Sequence, residues 1–248
     1  MKNFIFIIVC LLTTKLSGQN LIVEYLAENK SAEQHYSLYL IDGAEGTYDI
    51  NIFHAKYPDY SDLLKDDAFL KSRIYINSLK KEGEAIYGVR YHNKGRKVYK
   101  DTPPPIGWKT SNEVKTILGF QCKKATAEFR GRNYTAWYTE DIAVSQGPWK
   151  LRGLPGLILA AKTDDGIFSF EAVNIKLSSP LSVPEKFKTI YASTDVISYQ
   201  EQILDEKIKL QEIVAQQIAS LPKDYVPVSD SSPSRNGEME TSFEWEKN

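Results

Sequence analysis

The stretch 147–159, which reads GPWKLRGLPGLIL, constrains the fold of this chain more than any other part of the sequence. Three glycines, two prolines and six large apolar residues share its thirteen positions. Neither a helix nor an alternating strand accommodates that mixture, because proline removes a backbone donor and glycine allows conformations closed to other residues. Pro155 and Gly156 suit a type II turn, and the apolar run 157–161 predicts a buried strand. The stretch therefore predicts either a bent strand pair with a tight corner or a rigid rim around a ligand or partner.

Alternating apolar and polar residues predict β-strands along most of the chain. The predicted strands cover residues 21–26, 34–41, 47–53, 72–77, 85–91, 97–99, 120–129, 134–138, 157–162 and 167–173. Residues 130–133 predict one hairpin turn, and Asp165 followed by Gly166 predicts another, because Asp-Gly suits a tight turn. The three prolines at 103–105 cannot lie in a central strand, so they predict a linker that crosses from one part of the sheet to another.

A change from strand to helical periodicity predicts a helix over residues 198–220, which ends before Pro222. Ser198 and Glu201 have the spacing of a capping box, in which each side chain bonds the backbone of the other residue. The apolar stripe that should pack on the sheet consists of Ile203, Leu204, Ile208, Leu210, Val214 and Ile218. The predicted fold class is therefore mainly β with a C-terminal helix, an α+β arrangement.

The two ends of the chain differ from its middle in composition. Lys2 and the apolar run 4–12 begin the pattern of a secretory signal. Residues 223–248 are mostly polar and predict a flexible tail, with Phe243 and Trp245 as candidate anchors. The expected organisation is a signal peptide at 1–18, a single β-rich domain at 19–222 and a tail at 223–248. We therefore expect an exported protein, periplasmic, associated with the cell envelope or extracellular.

Composition and motifs exclude several functions. The chain has 31 lysine and arginine residues against 32 aspartate and glutamate residues, a balance that does not favour nucleic-acid binding. No metal-binding motif occurs, and the one nucleophile pattern, Ser-x-x-Lys at 78–81, lacks its companion motifs. The three histidines lie far apart in the sequence, so we expect no metal and no cofactor. Outside the predicted signal, Cys122 is the single cysteine, and its thiol is buried, reactive or part of an intermolecular link, of which we favour a buried thiol.

Residues 153–158 read GLPGLI, and the strings LGFQCKKA at 118–125 and AWYTEDI at 136–142 accompany them. Together these motifs resemble the GLPGLI family of secreted proteins from the Bacteroidetes. That family is defined by sequence and lacks an established activity, so the resemblance implies no catalytic residues. The chain is also similar to the periplasmic lipoprotein-carrier fold, which implies a curved antiparallel sheet or half-barrel packed against one or more helices.

An aromatic and turn-rich rim is the predicted site for a ligand or a partner. Its residues are Trp137, Tyr138, Trp149, Pro155 and Gly156. In the competing interpretation both tryptophans belong to the core. Two functions are compatible with this sequence. The favoured one is a non-catalytic envelope protein that binds an apolar ligand, a peptide or an envelope protein. The alternative is a hydrolase without a recognisable motif, which would use Cys122 or the adjacent carboxylates Glu140 and Asp141.

Overall fold

The structure is a computed structural model, and it describes residues 20–30, 35–42, 46–52, 74–76, 85–92, 95–179, 195–221 and 235–247. The predicted signal peptide at 1–18 lies outside the described residues. Among the residues that are described, no helix combines the length and the apolar character that a membrane span requires.

Twelve strands form one sheet in the described part of the chain. They are β1 (Asn20–Asn29), β2 (His35–Asp42), β3 (Gly46–Ile52), β4 (Ile74–Ile76), β5 (Ile86–His92), β6 (Gly95–Asp101), β7 (Lys109–Ile117), β8 (Phe120–Phe129), β9 (Arg132–Thr139), β10 (Leu157–Thr163), β11 (Phe168–Ser179) and β12 (Val196–Ser198). The ten predicted strands are confirmed in approximate position. β7 and β12 are additional, and the alternation of apolar residues did not reveal them.

The order of the strands shows that the sheet is strongly curved. Across the sheet the order is β12-β6-β5-β4-β3-β2-β1-β11-β10-β9-β8-β7, and all neighbours are antiparallel except β12 and β6. β6 and β7 follow each other in the chain, yet ten strand spacings separate them, about 48 Å in a flat sheet. The linker 102–108 between them spans at most about 28 Å. The sheet must therefore bend back on itself, which confirms the predicted curved sheet and the crossing linker.

The main core is built around β1 and β8–β11, with both faces of β10 buried, and is closed by the loop 140–156. Its buried residues are Leu21, Val23, Tyr25, Ala27, Ile117, Cys122, Ala125, Phe129, Tyr134, Ala136, Tyr138, Ile142, Leu151, Leu154, Leu157, Ile158, Leu159, Ala160, Ala161, Phe170 and Ala172. Tyr25 crosses this core, and its hydroxyl donates a 2.6 Å hydrogen bond to the carbonyl of Ile158. This core packs the 147–159 stretch against the half of the sheet that contains it.

The turns of the 147–159 stretch differ from the prediction. Gly153, and not Gly156, has the positive φ, of 94°, so Pro155 and Gly156 do not form the predicted type II turn. Gly156 instead passes close to the end of β9, where a Cβ atom on it would lie 2.0 Å from the carbonyl oxygen of Thr139. The glycine is required there by close backbone approach rather than by a left-handed conformation.

The two predicted hairpin turns are both present. Arg130 and Gly131 have φ values of 45° and 82° between β8 and β9, the pattern of a two-residue turn whose twist matches the flanking strands. The turn is therefore shorter than the predicted 130–133. Between β10 and β11, Gly166 has a φ of 65° and donates its N–H to the carbonyl of Thr163. This confirms the Asp-Gly hairpin.

Helix α1 (Tyr199–Ala219) confirms the predicted helix and its capping box. Ser198 Oγ accepts the N–H of Glu201 at 3.1 Å, and a carboxylate oxygen of Glu201 accepts the N–H of Ser198 at 2.7 Å. The prediction that the apolar stripe is buried on the sheet is wrong. Four of its side chains are 42–55% exposed: Leu204, Ile208, Leu210 and Ile218. Among the described strands the helix packs mainly against β6 and β12, and its length of about 31 Å exceeds that of either.

Residues 235–247 pack against the turn between β8 and β9, and we call this segment the C-terminal strap. Phe243 in its middle is 2% exposed, and the N–H groups of Thr241 and Ser242 both donate to the carbonyl of Arg130. Arg132 donates further hydrogen bonds to carbonyls of the strap. The domain boundaries stay a prediction, but this part of the expected tail is packed and contains the two expected anchors.

Candidate functional site

Four buried charged residues meet where the ends of the sheet approach each other. Asp101 ends β6, Arg130 lies in the β8–β9 turn, Lys150 belongs to the 147–159 stretch and Glu240 comes from the strap. We call these four residues the ion cluster. Each of their side chains is between 1% and 6% exposed. Buried ions are found where partners and hydrogen bonds compensate for lost hydration, so the contacts within the cluster determine whether it is stable.

The ion cluster satisfies all four charges internally. Arg130 donates two hydrogen bonds of 2.7 and 2.8 Å to the two carboxylate oxygens of Asp101, and a third to Glu240. Lys150 Nζ donates to Asp101 at 2.8 Å and to both oxygens of Glu240 at 2.9 Å. The Tyr199 hydroxyl, at the start of α1, also donates to Glu240. Two cations and two carboxylates therefore share a buried, neutral network.

The ionisation of these groups follows from that geometry. Burial by itself raises the pKa of Asp101, but hydrogen bonds from Arg130 and the charge of Lys150 outweigh it and hold the pKa below its usual value. Burial lowers and the surrounding carboxylates raise the pKa of Arg130, with a net increase. Burial and the nearby Glu240 raise the pKa of Tyr199. At neutral pH Asp101 and Arg130 are charged, and the tyrosine keeps its proton.

Aromatic rings enclose the cations. The Arg130 guanidinium carbon lies 5.3–5.6 Å from four ring centroids, those of Phe129, Tyr199, Phe243 and Trp245. Lys150 Nζ lies 4.0 Å from the centroid of the Tyr199 ring. Cation–π attraction of this kind is strengthened by the exclusion of water. The rings therefore fix the positions of the cations and contribute to the wall of the space above them.

A cavity of about 660 Å³ opens between α1 and the strap, directly over the ion cluster. Its lining residues are Tyr99, Trp149, Lys150, Tyr199, Ile203, Glu206, Lys207, Leu210, Gln211, Arg235, Glu238, Met239, Glu240, Thr241, Phe243 and Glu246. Seven of these sixteen residues carry a charge, and the aromatic rings supply much of the remainder. This cavity therefore differs from the one lined by Leu, Ile and Tyr that a carrier of hydrophobic ligands would need, and an apolar ligand stays a prediction.

The predicted rim residues do not form one surface. Trp149 is the one that lines the cavity, where its ring stacks on Tyr134 with the centroids 6.4 Å apart. Tyr138 is 2% exposed and belongs to the core. Trp137 lies on the opposite face of β9, with Lys115 Nζ 4.6 Å from its ring centroid. Pro155 and Gly156 lie in the loop before β10, the first exposed and the second buried. A binding role for the rim stays a prediction.

The residues named for a hydrolase lack the surroundings that they would need. Cys122 is fully buried, burial raises the pKa of its thiol, and its Sγ donates a weak hydrogen bond to the carbonyl of Phe120 at 3.6 Å. Glu140 is exposed and pairs with Lys123 at 2.9 Å, and Asp141 is exposed beside it. In the described ranges, no three His, Cys, Asp or Glu side chains converge as metal ligands would.

Reasoning from the sequence missed the ion cluster entirely. Its members lie at positions 101, 130, 150 and 240, with no fixed spacing and no motif around them. The weak signal in the sequence is Arg130 directly before Gly131 in a predicted turn. In the structure Arg130 has a left-handed φ of 45°, which is uncommon for arginine. Only the curvature of the sheet brings these four residues together.

Comparison with known proteins places this fold beside one family. A family model described as the N-terminal domain of "N-glycanase peptide" matches residues 107–201. No curated protein matches the chain in sequence. Two solved structures of PNGF-II, in space groups C2 and P21, share 18% sequence identity with it at TM-scores of 0.52 and 0.51. They cover 76% of this chain, which spans only 33% and 34% of theirs. Identity at this level shows a common fold and nothing further.

These matches correct the family that the motifs suggested. The resemblance to the GLPGLI family is wrong, since the matching family model and the similar structures belong to the PNGase F-II group. The source and family label taken from that resemblance, and the likeness to lipoprotein carriers, are withdrawn with it. The hexapeptide at 153–158 has a structural explanation: Gly153 needs a left-handed φ, Gly156 passes Thr139 closely, and the apolar residues fill the core. Export and its destination stay predictions.

Proposed function

We propose that this chain takes part in the hydrolysis of N-linked glycans and binds the glycan-bearing substrate in the cavity between α1 and the strap. The match to an N-glycanase domain model supports a role in the hydrolysis of N-linked glycans. The charged lining of the cavity supports a polar ligand over the apolar ligand first expected. Of the two functions considered from the sequence, the hydrolase alternative is therefore the better starting point.

The observation that carries the proposal is the combination of ring faces with hydrogen-bonding groups in one cavity. Trp149 and Tyr199 are half-buried where they line the cavity, and Tyr99 lines it while only 3% exposed; Lys150 and Glu240 line the same cavity. A sugar ring has hydroxyl groups around its edge and C–H groups on its faces. Aromatic side chains with a polar tip and a few fixed polar groups are suited to such an amphipathic ligand.

The ion cluster favours recognition over bond cleavage. A carboxylate whose pKa is lowered stays ionised at neutral pH, so Asp101 cannot serve as a proton donor there. Glu240 accepts hydrogen bonds from Lys150, Arg130 and Tyr199, which leaves its oxygens committed to the network. We therefore propose that the cavity orients the substrate and that the cleaving groups lie outside the ion cluster.

Calorimetric titration with an N-glycosylated peptide, and with the same peptide after removal of its glycan, tests this function. We expect the chain to bind the glycosylated form and not the bare peptide. Trp149→Ala should weaken binding about tenfold or more, a loss of about 1.4 kcal/mol, because an aromatic anchor in a cavity carries a large part of the affinity. Trp137→Ala is the matched control, since Trp137 lies on the opposite face of β9 and should leave binding unchanged.

Mass spectrometry of the same mixtures separates recognition from catalysis. Release of the free glycan by the wild-type chain would show that the chain itself cleaves the substrate. Binding without release would leave it as the recognition part of a hydrolytic system. The proposal would be wrong if the glycosylated and bare peptides bound equally, or if the two tryptophan variants lost the same affinity.

A further inference from the structure

We propose that Arg130, Lys150 and the Tyr199 hydroxyl form a carboxylate-binding site, which the protein fills with its own Glu240. In this arrangement the strap is a tethered ligand, and a carboxylate from elsewhere can take the place of Glu240. The inference does not require glycan binding, although the site shares Lys150, Tyr199 and Glu240 with the cavity lining.

The donors of this site are assembled without the strap. Arg130 is held by two hydrogen bonds to Asp101, and Lys150 is held by a third hydrogen bond to the same carboxylate. Tyr199 is positioned by the first turn of α1 and by its ring contact with Tyr99, 5.0 Å between centroids. All of these contacts join the sheet, the 147–159 stretch and the helix. The site would therefore persist if the Glu240 side chain were removed.

The charges of the site require an anion at the position of Glu240. Without the Glu240 carboxylate, the two buried cations Arg130 and Lys150 would have only Asp101 as a fully buried counter-ion in the cluster. The buried groups would then have an excess positive charge. Glu244 also contacts Arg130, but its side chain is 38% exposed and it does not bond Lys150 in the described contacts. An uncompensated buried cation is strongly unfavourable, so the vacated position should attract a small anion that can accept these hydrogen bonds.

A carboxylate fits this position better than a spherical anion. The Glu240 oxygens receive Lys150 at 2.9 Å on both atoms, Arg130 on one atom and the Tyr199 hydroxyl on the other. Two acceptor atoms in a plane satisfy this set of donors, and chloride offers only one centre. Glu240 lines the cavity, so a free carboxylate has a route to the site.

The strap explains why the site is normally filled. On one side of Glu240, Arg132 holds the carbonyls of Asn236 and Glu238, and on the other side Phe243 is buried. These anchors keep the Glu240 carboxylate near its donors at an effective concentration in the millimolar range or above. Free carboxylates must exceed that concentration to compete in the wild-type protein, whereas they meet no competitor once the side chain is shortened.

Thermal unfolding of the full-length Glu240→Ala variant in acetate and in acetamide tests the site. We expect the variant to have a lower Tm than the wild type and to regain most of that loss in acetate. Acetamide has the same shape without the charge and should have no effect, and sodium chloride at equal ionic strength should not replace acetate. Glu240→Gln is the matched variant: its neutral side chain fills the same space, so its Tm should be low and insensitive to acetate.

The proposal would be overturned if acetate and acetamide acted alike on Glu240→Ala, or if Glu240→Gln responded to acetate as strongly. If the alanine variant is unfolded at the outset, the same comparison is made on the recovery of folded protein. Hydrogen exchange of residues 235–247 in the wild type is the second measurement, with faster exchange expected in concentrated acetate but not in acetamide. The Tm of Glu240→Ala is then compared in N-acetylglutamic acid α-amide and in glucuronic acid. The compound that raises the Tm more shows whether an acidic peptide side chain or an acidic sugar is the better ligand.

Discussion

Asp101 connects the two cations of the ion cluster from the sheet itself. Its carboxylate accepts two hydrogen bonds from Arg130 and one from Lys150, and its side chain is 1% exposed. Removing one partner of a buried ion pair is costly because the remaining charge is left without compensation. The energetic importance of the residue therefore exceeds that of any exposed ion pair, such as Lys123 with Glu140.

Asp101→Asn should lower the free energy of unfolding by about 3 kcal/mol or more, because Arg130 and Lys150 lose their shared counter-ion in the sheet. Urea unfolding monitored by circular dichroism measures this loss. Asp141→Asn is the control, since Asp141 is exposed in a loop and should change stability by less than about 0.5 kcal/mol. Equal losses in the two variants would contradict the role given to the cluster.

The same residue makes stability depend on pH in a defined direction. The folded pKa of Asp101 lies below its ordinary value of 3.8, so its contribution to stability is fully present above that unfolded value and is lost as pH falls through the folded pKa. Wild-type stability should therefore hold down to about pH 4 and fall below it. The difference between wild type and Asp101→Asn should narrow over that acid range in urea titrations. A constant difference would show that Asp101 does not titrate in this way.

Local patterns predicted elements well where a short segment contains its own signal. The capping box of Ser198 and Glu201 and the Asp-Gly hairpin at 165–166 depend only on neighbours in sequence, and both are present. β7 was not predicted because eight of its nine residues are exposed, so apolar and polar residues do not alternate along it. Helix α1 formed as predicted, but the burial of its stripe depends on how much sheet lies beneath it. That property belongs to the whole fold.

Gly156→Ala should be strongly destabilising, because the added Cβ would lie 2.0 Å from the carbonyl oxygen of Thr139 and must displace backbone. We expect a loss of about 2 kcal/mol or more in urea unfolding, in the range of overpacked positions. Gly107→Ala is the matched control, since a Cβ there meets nothing within 4 Å, and it should be nearly neutral. Similar small effects in both variants would show that the 147–159 stretch relaxes easily.

The candidate site could not be predicted from the sequence because it is a property of the whole molecule. Asp101 and Arg130 lie near opposite ends of the strand order and meet only because the sheet is curved. Glu240 and Phe243 come from a segment whose polar composition predicted a mobile tail. Of the predicted rim, Trp149 reached the cavity because it belongs to the same stretch as Lys150. The sequence identified the stretch correctly but not the partners that the fold brings to it.

Phe243→Ala should release the strap from the rest of the molecule. Phe243 is 2% exposed and stacks on Trp245 with 4.5 Å between ring centroids, so truncation should cost about 3 kcal/mol. Limited proteolysis, followed by mass spectrometry, should then find cleavage within 235–247 that the wild type resists. Trp245 is half-buried, so Trp245→Ala should lose less stability and leave the strap more resistant to proteolysis than Phe243→Ala does. Equal protection in both variants would contradict anchoring by Phe243.

The pairing of β1 with β11 has a consequence for how the chain reaches this fold. Its residue pairs lie 139 to 159 positions apart in sequence, whereas β7 to β11 pair with near neighbours. Contacts between residues so far apart in sequence form late in folding, because a long loop must be ordered first. During synthesis β1 emerges long before β11, and until they meet β11 has a neighbour on one side only. An unpaired edge of twelve residues is a template for pairing with another molecule. By pairing with β11, β1 therefore also prevents that edge from pairing with another molecule.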